Sequence, residues 1–255
     1  MRSGLMVVVS LVVALATSGT AHADPSALWN IVGGQCVPNQ VAHDDPAPCA
    51  QVDLGAGSAV LKDLVGDTQF LLIPTERSSG IDDPAILAPT APNYFAAAWR
   101  AKSFVDQRAG AEIPRQWMSL AINSAYARSQ DQLHIHVDCV RPDVHDALTR
   151  YGSAVGPSWA PFPVELAGHR YDAMSVVGRD LQADPFRLLA DGVAGAREDM
   201  ASRTLVVVGS EDATGRPGFV VLTDRADVAT GNEAAGEELQ DHDFCPRLAA
   251  TLPGK

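Results

Sequence analysis

Two histidines, His134 and His136, stand two residues apart in an alternating apolar and polar stretch that ends near Asp138. In an extended strand, this alternation places both imidazoles and Asp138 on one face and the apolar residues on the other. Imidazole acts as nucleophile, general base or metal ligand near neutral pH. Two rings roughly 6–7 Å apart along a strand can hold one phosphate between them. The pattern therefore predicts a reactive site on a rigid strand.

Three chemistries are compatible with this polar face. In the first, one imidazole attacks phosphorus while a carbonyl oxygen holds its second nitrogen, and the other imidazole binds phosphate oxygens together with the amides of Asn123 and Gln130. In the second, His134, His136 and Asp138 bind a metal ion that activates water; these residues span roughly 13 Å, so at least one further ligand is required. In the third, the protein binds a phosphate without cleaving it.

The further ligand that the metal alternative requires has only scattered candidates among the other histidines. His145 and His169 are predicted to face solvent, because their sequence contexts are polar. His242 is predicted to lie at an exposed helix start.

The elements that carry these residues predict one α+β domain with an antiparallel sheet and flanking helices, without an internal repeat or a flexible linker. Two hairpins and two further strands are expected, and the 93–109 helix is the clearest amphipathic segment. The predicted strands are 58–61, 69–73, 117–123, 133–140, 205–208 and 219–223. The predicted helices are 27–32, 93–109, 144–151 and 236–248, and the predicted long loops are 36–48 and 74–92.

The first 23 residues predict an export signal. One early cation, Arg2, precedes an apolar core from Leu5 to Ala16, and the segment AHA (21–23) is typical of a small-residue cleavage site after Ala23. This core is shorter than the ~20 residues that a membrane-spanning helix requires, which favours a cleaved signal over a retained N-terminal anchor. The segment 24–255 is then the single functional domain.

The net charge of −12 and the absence of a Lys/Arg run argue against a nucleic-acid partner. A phosphate ester or a phospholipid head group stays possible, because one local site can be cationic within an acidic chain.

Four cysteines, an even number in an exported chain, predict two disulfides. Cys36 and Cys49 form the natural local pair, which leaves Cys139 for Cys245, although three connectivities are possible. A Cys/His zinc site is the alternative, but the spacings of zinc sites are missing.

The histidine-bearing strand resembles the histidine triad superfamily, whose signature is three histidines that alternate with apolar residues. More closely, the chain resembles the bacterial CDP-diacylglycerol pyrophosphatases, a membrane-associated or periplasmic branch of that superfamily. The resemblance runs from about residue 36 to residue 245, in order, through the segments CVPNQ (36–40), PCA (48–50), VLKDL (60–64), LLIPT (71–75), SLAINS (119–124), HIH (134–136), CVRPDV (139–144) and QDH (240–242).

This resemblance implies hydrolysis of CDP-diacylglycerol to CMP and phosphatidate, without a cofactor, on a histidine-triad-like sheet. His134 takes the position of the superfamily's nucleophile, which forms a nucleotidyl-histidine intermediate. His136 takes the position that binds phosphate and assists protonation. Asn123 matches the upstream asparagine of the pattern, and Gln130 takes the place of the polar residue before the triad. The same chemistry on other nucleotide diphosphate adducts is the alternative activity.

Two departures from the superfamily pattern stand out. Gln132 occupies the position of the first triad histidine; its backbone carbonyl can still bond the nucleophile, and Gln132 is also a candidate substrate-binding residue. Arg77 lies where many members have a histidine after the strand-ending proline, and it is a candidate phosphate contact. The resemblance also implies an exported, periplasmic or inner-membrane associated protein that acts at the membrane surface, and a homodimer is possible.

Overall fold

The computed structural model describes residues 24–252, so the predicted export signal lies outside the described residues. Within this range, the chain forms one antiparallel sheet of nine strands, and no helix has the length and apolar character needed to cross a bilayer. The strands are Gln51–Asp53 (β1), Ser58–Lys62 (β2), Phe70–Pro74 (β3), Met118–Ile122 (β4), Ile135–Cys139 (β5), Ala160–Pro161 (β6), Asp172–Val177 (β7), Leu205–Glu211 (β8) and Pro217–Thr223 (β9).

The order of strands across the sheet is β1-β2-β3-β5-β4-β8-β9-β7-β6, so β5 lies near the centre with β3 and β4 as neighbours. The prediction of an α+β domain with an antiparallel sheet is confirmed. The α-helices are Ala27–Ile31 (α1), Val37–His43 (α2), Tyr94–Ala109 (α3), Pro142–Tyr151 (α4), Pro185–Gly192 (α5) and Phe244–Ala249 (α6).

Helix α3 has the boundaries that its sequence predicts. The Asn93 side chain accepts a hydrogen bond from the backbone N–H of Ala96 (2.9 Å), which satisfies one free donor of the first turn. Gly110 ends the helix with a φ of 74°, a left-handed conformation that glycine adopts without strain. The helix buries Phe95 and Trp99, as predicted, against the first face of the sheet.

Two local predictions are wrong. Residues 36–48 are not a loop throughout, because a π-helical turn, Val32–Cys36, continues into α2. Pro38 fits there since the first turn of a helix does not need its missing N–H.

The predicted 236–248 helix is also wrong. A 3₁₀ turn, Gly236–Leu239, and the later α6 replace it. Between them, Gln240 forms an antiparallel bridge with Val140, and the backbone N–H of Asp241 donates to the Cys139 carbonyl (3.0 Å). Pairing with the end of β5 therefore prevents a continuous helix.

Several elements had no sequence prediction. They are β1, β6, β7 and α5, three of which lie beyond Tyr151, where the hydrophobic periodicity is weak.

The two faces of the sheet are packed differently. The first face carries the main hydrophobic core, to which β5 contributes Ile135, Val137 and Cys139 and which α3 covers. The second face carries two smaller clusters. We name them the N-terminal cluster (Leu28, Val32, Cys36, Cys49, Ala59, Leu61, Leu71, Ile73) and the C-terminal cluster (Ala121, Val140, Val144, Phe162, Leu166, Tyr171, Ala173, Val206, Val208, Val220, Leu222, Leu239).

A polar strip formed by His134, His136 and Asp138 separates these two clusters. His136 is the register partner of Leu71 on one side, in the N-terminal cluster, and of Ala121 on the other, in the C-terminal cluster. The apolar packing of the second face therefore leaves a polar region along β5, between the two clusters, that contains the polar strip. We call this region the seam.

Both predicted disulfides are present. Cys36 is bonded to Cys49, and Cys139 to Cys245, so the predicted connectivity is confirmed. The second bond attaches the C-terminal segment to the strand that carries the polar strip.

Candidate active site

The two imidazoles of the polar strip face each other. Their ring centroids are 5.0 Å apart and the ring planes form an angle of 66°. The strand alternation places both rings on the second face, as predicted, and His134 immediately precedes the first residue of β5. Only 8% of His134 and 6% of His136 is exposed, so both rings lie at the bottom of the seam.

The hydrogen bond of His134 fixes its tautomer. Its Nδ1 atom lies 2.7 Å from the backbone carbonyl oxygen of Gln132. Because a carbonyl oxygen only accepts, Nδ1 must carry the proton and Nε2 must carry the free lone pair. Burial, followed by the proximity of His136, lowers the pKa of His134 to about 4. His134 is therefore a neutral base and a potential nucleophile at neutral pH.

His136 has the opposite tautomer. The Gln69 side-chain nitrogen lies 2.9 Å from Nδ1 of His136 and also donates to the Asp63 carboxylate (2.5 Å). Since a carboxylate only accepts, the NH₂ edge of Gln69 must face both groups, so Nδ1 of His136 accepts and its Nε2 carries the proton. Burial lowers the pKa of His136, and the negative charge of Asp63 opposes this effect.

The Nε2 atom of His136 has no hydrogen-bond partner within the described residues, although it is buried. A Glu237 carboxylate oxygen lies 3.1 Å away but is not aligned as an acceptor. Buried donors without a partner are uncommon in folded proteins. One imidazole thus presents a lone pair and its neighbour presents an N–H, which is a combination that can attack and bind a phosphate.

Asn123 lies beside this pair. The β4–β5 register pairs Ala121 with His136, and extending it by two residues places Asn123 opposite His134. The Asn123 side-chain oxygen accepts the backbone N–H of Glu237 (3.1 Å), which positions the 3₁₀ turn over the site. Its side-chain nitrogen donates to no group among residues 24–252, so this nitrogen is available to a ligand.

The Gln132 side chain is occupied elsewhere. It is fully buried, and its amide nitrogen donates to the carbonyls of Pro74 (3.3 Å) and Glu76 (3.0 Å). Its amide oxygen accepts the backbone N–H of Ser78 (3.3 Å). The side chain therefore holds the loop after β3, and Gln132 reaches His134 only through its backbone carbonyl.

The other two predicted substrate contacts lie against the N-terminal segment. Gln130 accepts the backbone N–H of Leu28 (3.1 Å) and donates to the carbonyl of Asp24 (3.0 Å). Arg77 is exposed, and its guanidinium carbon lies 5.9 Å from the Trp29 ring centroid. In the part of the chain that the structure describes, neither side chain hydrogen-bonds to an imidazole of the polar strip.

Sequence reasoning missed several residues around the imidazoles. Asp63 and Gln69 flank the tip of the β2–β3 hairpin, whose polar residues are typical of a turn. Glu237 was expected on an ordinary helix. The sequence contains no signal that brings these three residues to His136, because the hairpin tip and the 3₁₀ turn meet only in the folded sheet.

The prediction that His242 is an exposed helix start is wrong. Its Nδ1 atom lies 3.1 Å from a carboxylate oxygen of Asp138, the third member of the polar strip. Only 31% of the His242 side chain is exposed. The backbone pairing of residues 240 and 241 with the end of β5 carries His242 into the seam.

The prediction of a solvent-facing His145 is also wrong. Its ring stacks on Trp117 with 3.4 Å between the centroids and 7° between the planes, and burial lowers its pKa. His169 is partly exposed, with 29% of its side chain accessible, and it lies 3.6 Å from Glu238.

The geometry favours no set of metal ligands. In residues 24–252, the cluster of potential ligands whose atoms converge within 4.8 Å consists of Asp138, Cys139 and Cys245. Both cysteines are bonded in a disulfide, so neither can supply a thiolate. The set His134, His136 and Asp138, which the metal alternative requires, does not converge to this degree.

The site thus consists of a neutral imidazole and an imidazole N–H on one face of an antiparallel sheet in an α+β domain, and these are groups that can attack and bind a phosphoryl group. Residues 23–249 match the sequence model of the family described as CDP-diacylglycerol pyrophosphatase. A curated CDP-diacylglycerol pyrophosphatase from Yersinia pestis is 45% identical over 217 residues, which cover 85% of this chain and 83% of that protein. The chain belongs to the CDP-diacylglycerol pyrophosphatase family, and the prediction of a hydrolase is confirmed.

Proposed function

We propose that this protein hydrolyses CDP-diacylglycerol to CMP and phosphatidate through a nucleotidyl-histidine intermediate on His134. The family and the Yersinia pestis relative support the substrate. The observation that carries the mechanism is the 2.7 Å hydrogen bond from Nδ1 of His134 to the Gln132 carbonyl, which leaves Nε2 as a free lone pair. The same bond stabilises the positive charge that the ring acquires when Nε2 forms a bond to phosphorus.

In the first step, Nε2 of His134 attacks the phosphorus that carries cytidine. A nitrogen–phosphorus bond forms as the bond between that phosphorus and the bridging oxygen breaks, and phosphatidate leaves with the bridging oxygen. The Nε2–H of His136 and the free amide N–H of Asn123 donate to the phosphate oxygens, where negative charge is concentrated. His136 also assists protonation of the leaving group.

In the second step, water attacks the same phosphorus and the nitrogen–phosphorus bond breaks. CMP takes the oxygen of the water, the protons of the water pass to CMP and solvent, and His134 returns to its neutral state. The chemistry needs no redox change and no cofactor.

The histidine-triad relationship belongs to this proposal. The chain has two of the three histidines, and the contact between the Gln132 backbone and His134 supplies the bond to the nucleophile that the missing residue would supply. Gln130 and Arg77 remain proposed substrate contacts. Each would have to exchange its present partner in the N-terminal segment for a phosphate oxygen.

We propose that the enzyme is exported and meets its lipid substrate at a membrane surface. Two disulfides support an oxidising compartment. The diacylglycerol part of the substrate resides in a bilayer, so the seam must open toward that surface. The proposed oligomeric state is a homodimer.

The test is His134→Asn in the mature chain, assayed for release of CMP from CDP-diacylglycerol in mixed micelles. The asparagine amide nitrogen can occupy the position of Nδ1 and retain the bond to the Gln132 carbonyl, while the nucleophile is removed. We expect turnover to fall by about 10⁴-fold or more. His169→Asn, outside the seam, is the control and should retain wild-type turnover.

Retained turnover in His134→Asn would overturn the mechanism. The same assay of the wild-type protein tests the two alternative functions. Binding of CDP-diacylglycerol without CMP release would indicate a phosphate-ligand binder. Faster cleavage of a water-soluble nucleotide diphosphate adduct would indicate the broader substrate class.

A further inference from the structure

The charged groups next to His136 are acidic, and they would repel a negatively charged pyrophosphate. Asp63 and Glu237 approach His136 to 3.8 Å and 3.1 Å, and both are carboxylates. Burial lowers the pKa of both rings, helped by His136 in the case of His134, so both imidazoles are neutral near neutral pH. A pyrophosphate that enters this seam therefore needs a positive charge from another residue.

The β2–β3 hairpin carries one lysine, Lys62, but its ammonium group already has hydrogen-bond partners. It donates to the backbone carbonyls of Asp63 (2.5 Å) and Gly66 (2.7 Å), which form the hairpin tip. Its N–H groups therefore stabilise the hairpin turn, and its positive charge acts on the site without a hydrogen bond to a phosphate.

Asp138 is another acidic group of this site; burial raises its pKa, and the hydrogen bond with His242 is the largest effect that opposes this shift. Its side chain is fully buried, with one oxygen accepting the backbone N–H of Cys139 (2.9 Å) and the other facing Nδ1 of His242 (3.1 Å). A buried carboxylate is stable in its charged form only when it is paired. His242 is its one side-chain partner among the described residues.

We propose that His242 is a third functional imidazole of this site, held as an imidazolium by Asp138 and supplying the positive charge that binds the phosphate of the departing phosphatidate. Asp138 is then a positioning residue, and His242 contacts the substrate. This inference rests on the proposed function and adds a residue to it.

The position of His242 supports this role. Asp138 follows His136 by two residues and lies on the same face of β5. Because His242 is hydrogen-bonded to Asp138, its imidazole continues the row that His134 and His136 begin. The disulfide between Cys139 and Cys245 and the bond from Asp241 to the Cys139 carbonyl fix the segment that carries it. Its 31% exposure leaves part of the ring open to a ligand.

The groups that face His242 favour its charged form. Asp138 from β5, Glu237 from the 3₁₀ turn and Asp63 from the hairpin all raise the pKa of His242, with the Asp138 hydrogen bond as the largest cause. Partial burial opposes them. The charge of His242 in turn lowers the pKa of His136, so the two rings share one electrostatic environment.

The experiment compares the pH profiles of kcat/KM for CDP-diacylglycerol hydrolysis in wild type, His242→Asn, Asp138→Asn and the control His169→Asn. In His242→Asn, the amide nitrogen can still donate to Asp138, but the titratable charge is lost. We expect a wild-type decline on the alkaline side with an apparent pKa above 6.5, the ordinary histidine value. This decline should be missing in His242→Asn, whose kcat/KM should be about 100-fold lower at neutral pH.

Asp138→Asn should move the alkaline decline to lower pH, because His242 loses the anion that raises its pKa. If this buried variant does not fold, His242→Asn alone decides the question. As a second measurement, the imidazole nitrogen signals of His242 in the full mature chain should shift when the methylenediphosphonate analogue of CDP is added.

A His242→Asn variant that keeps the wild-type pH profile would overturn the inference. Imidazole nitrogen signals of His242 that do not shift when the analogue is added would overturn it as well. A purely structural role would lower the folded fraction and leave the shape of the profile unchanged. The proposed function fails separately, through retained turnover in His134→Asn.

Discussion

The Nδ1 atom of His134 lies 2.7 Å from the backbone carbonyl oxygen of Gln132, the residue that stands where the superfamily pattern has its first histidine. The backbone thus supplies an acceptor that no substitution of the side chain removes directly. In the proposed mechanism, this bond orients the nucleophile in a chain that has two of the three histidines of the pattern.

Gln132→Ala should therefore affect stability far more than catalysis. The substitution leaves the Gln132 carbonyl in place but removes hydrogen bonds to three backbone groups of the 74–78 loop. We expect the free energy of unfolding to fall by about 2–3 kcal/mol, measured by urea denaturation. The kcat of the folded fraction should stay within about 5-fold of wild type; a 1000-fold loss of kcat with unchanged stability would contradict this account.

The tautomer of His136 can be tested with a matched pair of substitutions. His136→Gln keeps an N–H donor near the position of Nε2, whereas His136→Asn keeps a side-chain oxygen near Nδ1 that can accept from Gln69. Because the proposed role is donation from Nε2, we expect His136→Asn to lower kcat by about 100-fold or more and His136→Gln to lower it clearly less. kcat is measured by CMP release. A lower kcat in His136→Gln than in His136→Asn would show that the hydrogen bond at Nδ1 contributes more to catalysis than donation from Nε2.

Asn123→Asp tests the free amide nitrogen. The aspartate can still accept the backbone N–H of Glu237, so we expect the melting temperature to change by only a few degrees. The donor to phosphate is replaced by an anion, which should lower kcat/KM by about 100-fold or more. The combined measurement is thermal unfolding and kcat/KM on the same preparation. Equal activity of this variant and wild type would remove Asn123 from substrate binding.

The acid side of the pH profile should reflect the low pKa of His134. Protonation of Nε2 removes the nucleophile, so we expect kcat/KM to decline with an apparent pKa near 4 instead of near 6.5. Because the folded-state pKa lies below the unfolded value, the unfolded chain binds more protons between about pH 4 and 6.5. Stability must therefore fall as the pH drops through that window. The folded fraction should be followed by circular dichroism at each pH, and an acid limb near 6.5 in fully folded protein would contradict the burial argument.

The sequence predicted the elements whose signals are local. Alternation in 133–140 placed the two imidazoles on one face, and the amphipathic pattern of 93–109 predicted α3. The even number of cysteines and their spacing predicted both disulfides. In each case, the determining interaction involves neighbouring residues or a small set of possible pairings.

The contacts that tune the imidazoles were not predictable in this way. Gln69 meets His136 across 67 residues of sequence, and His242 meets Asp138 across 104. Both contacts depend on sheet register and on the bridge between Gln240 and Val140, which interrupts a segment with helical propensity. Local periodicity contains no information about such pairings, so the residues that set tautomer and charge appear only in the folded chain.

The central claim is a covalent intermediate on His134, and the stereochemical course at the cytidine-bearing phosphorus tests it most directly. The measurement uses CDP-diacylglycerol made chiral at that phosphorus with sulfur, hydrolysed in ¹⁸O-labelled water, followed by determination of the configuration of the product CMP analogue. Two successive in-line displacements, first by His134 and then by water, predict retention of configuration. Inversion would show a single direct attack by water and would contradict the account.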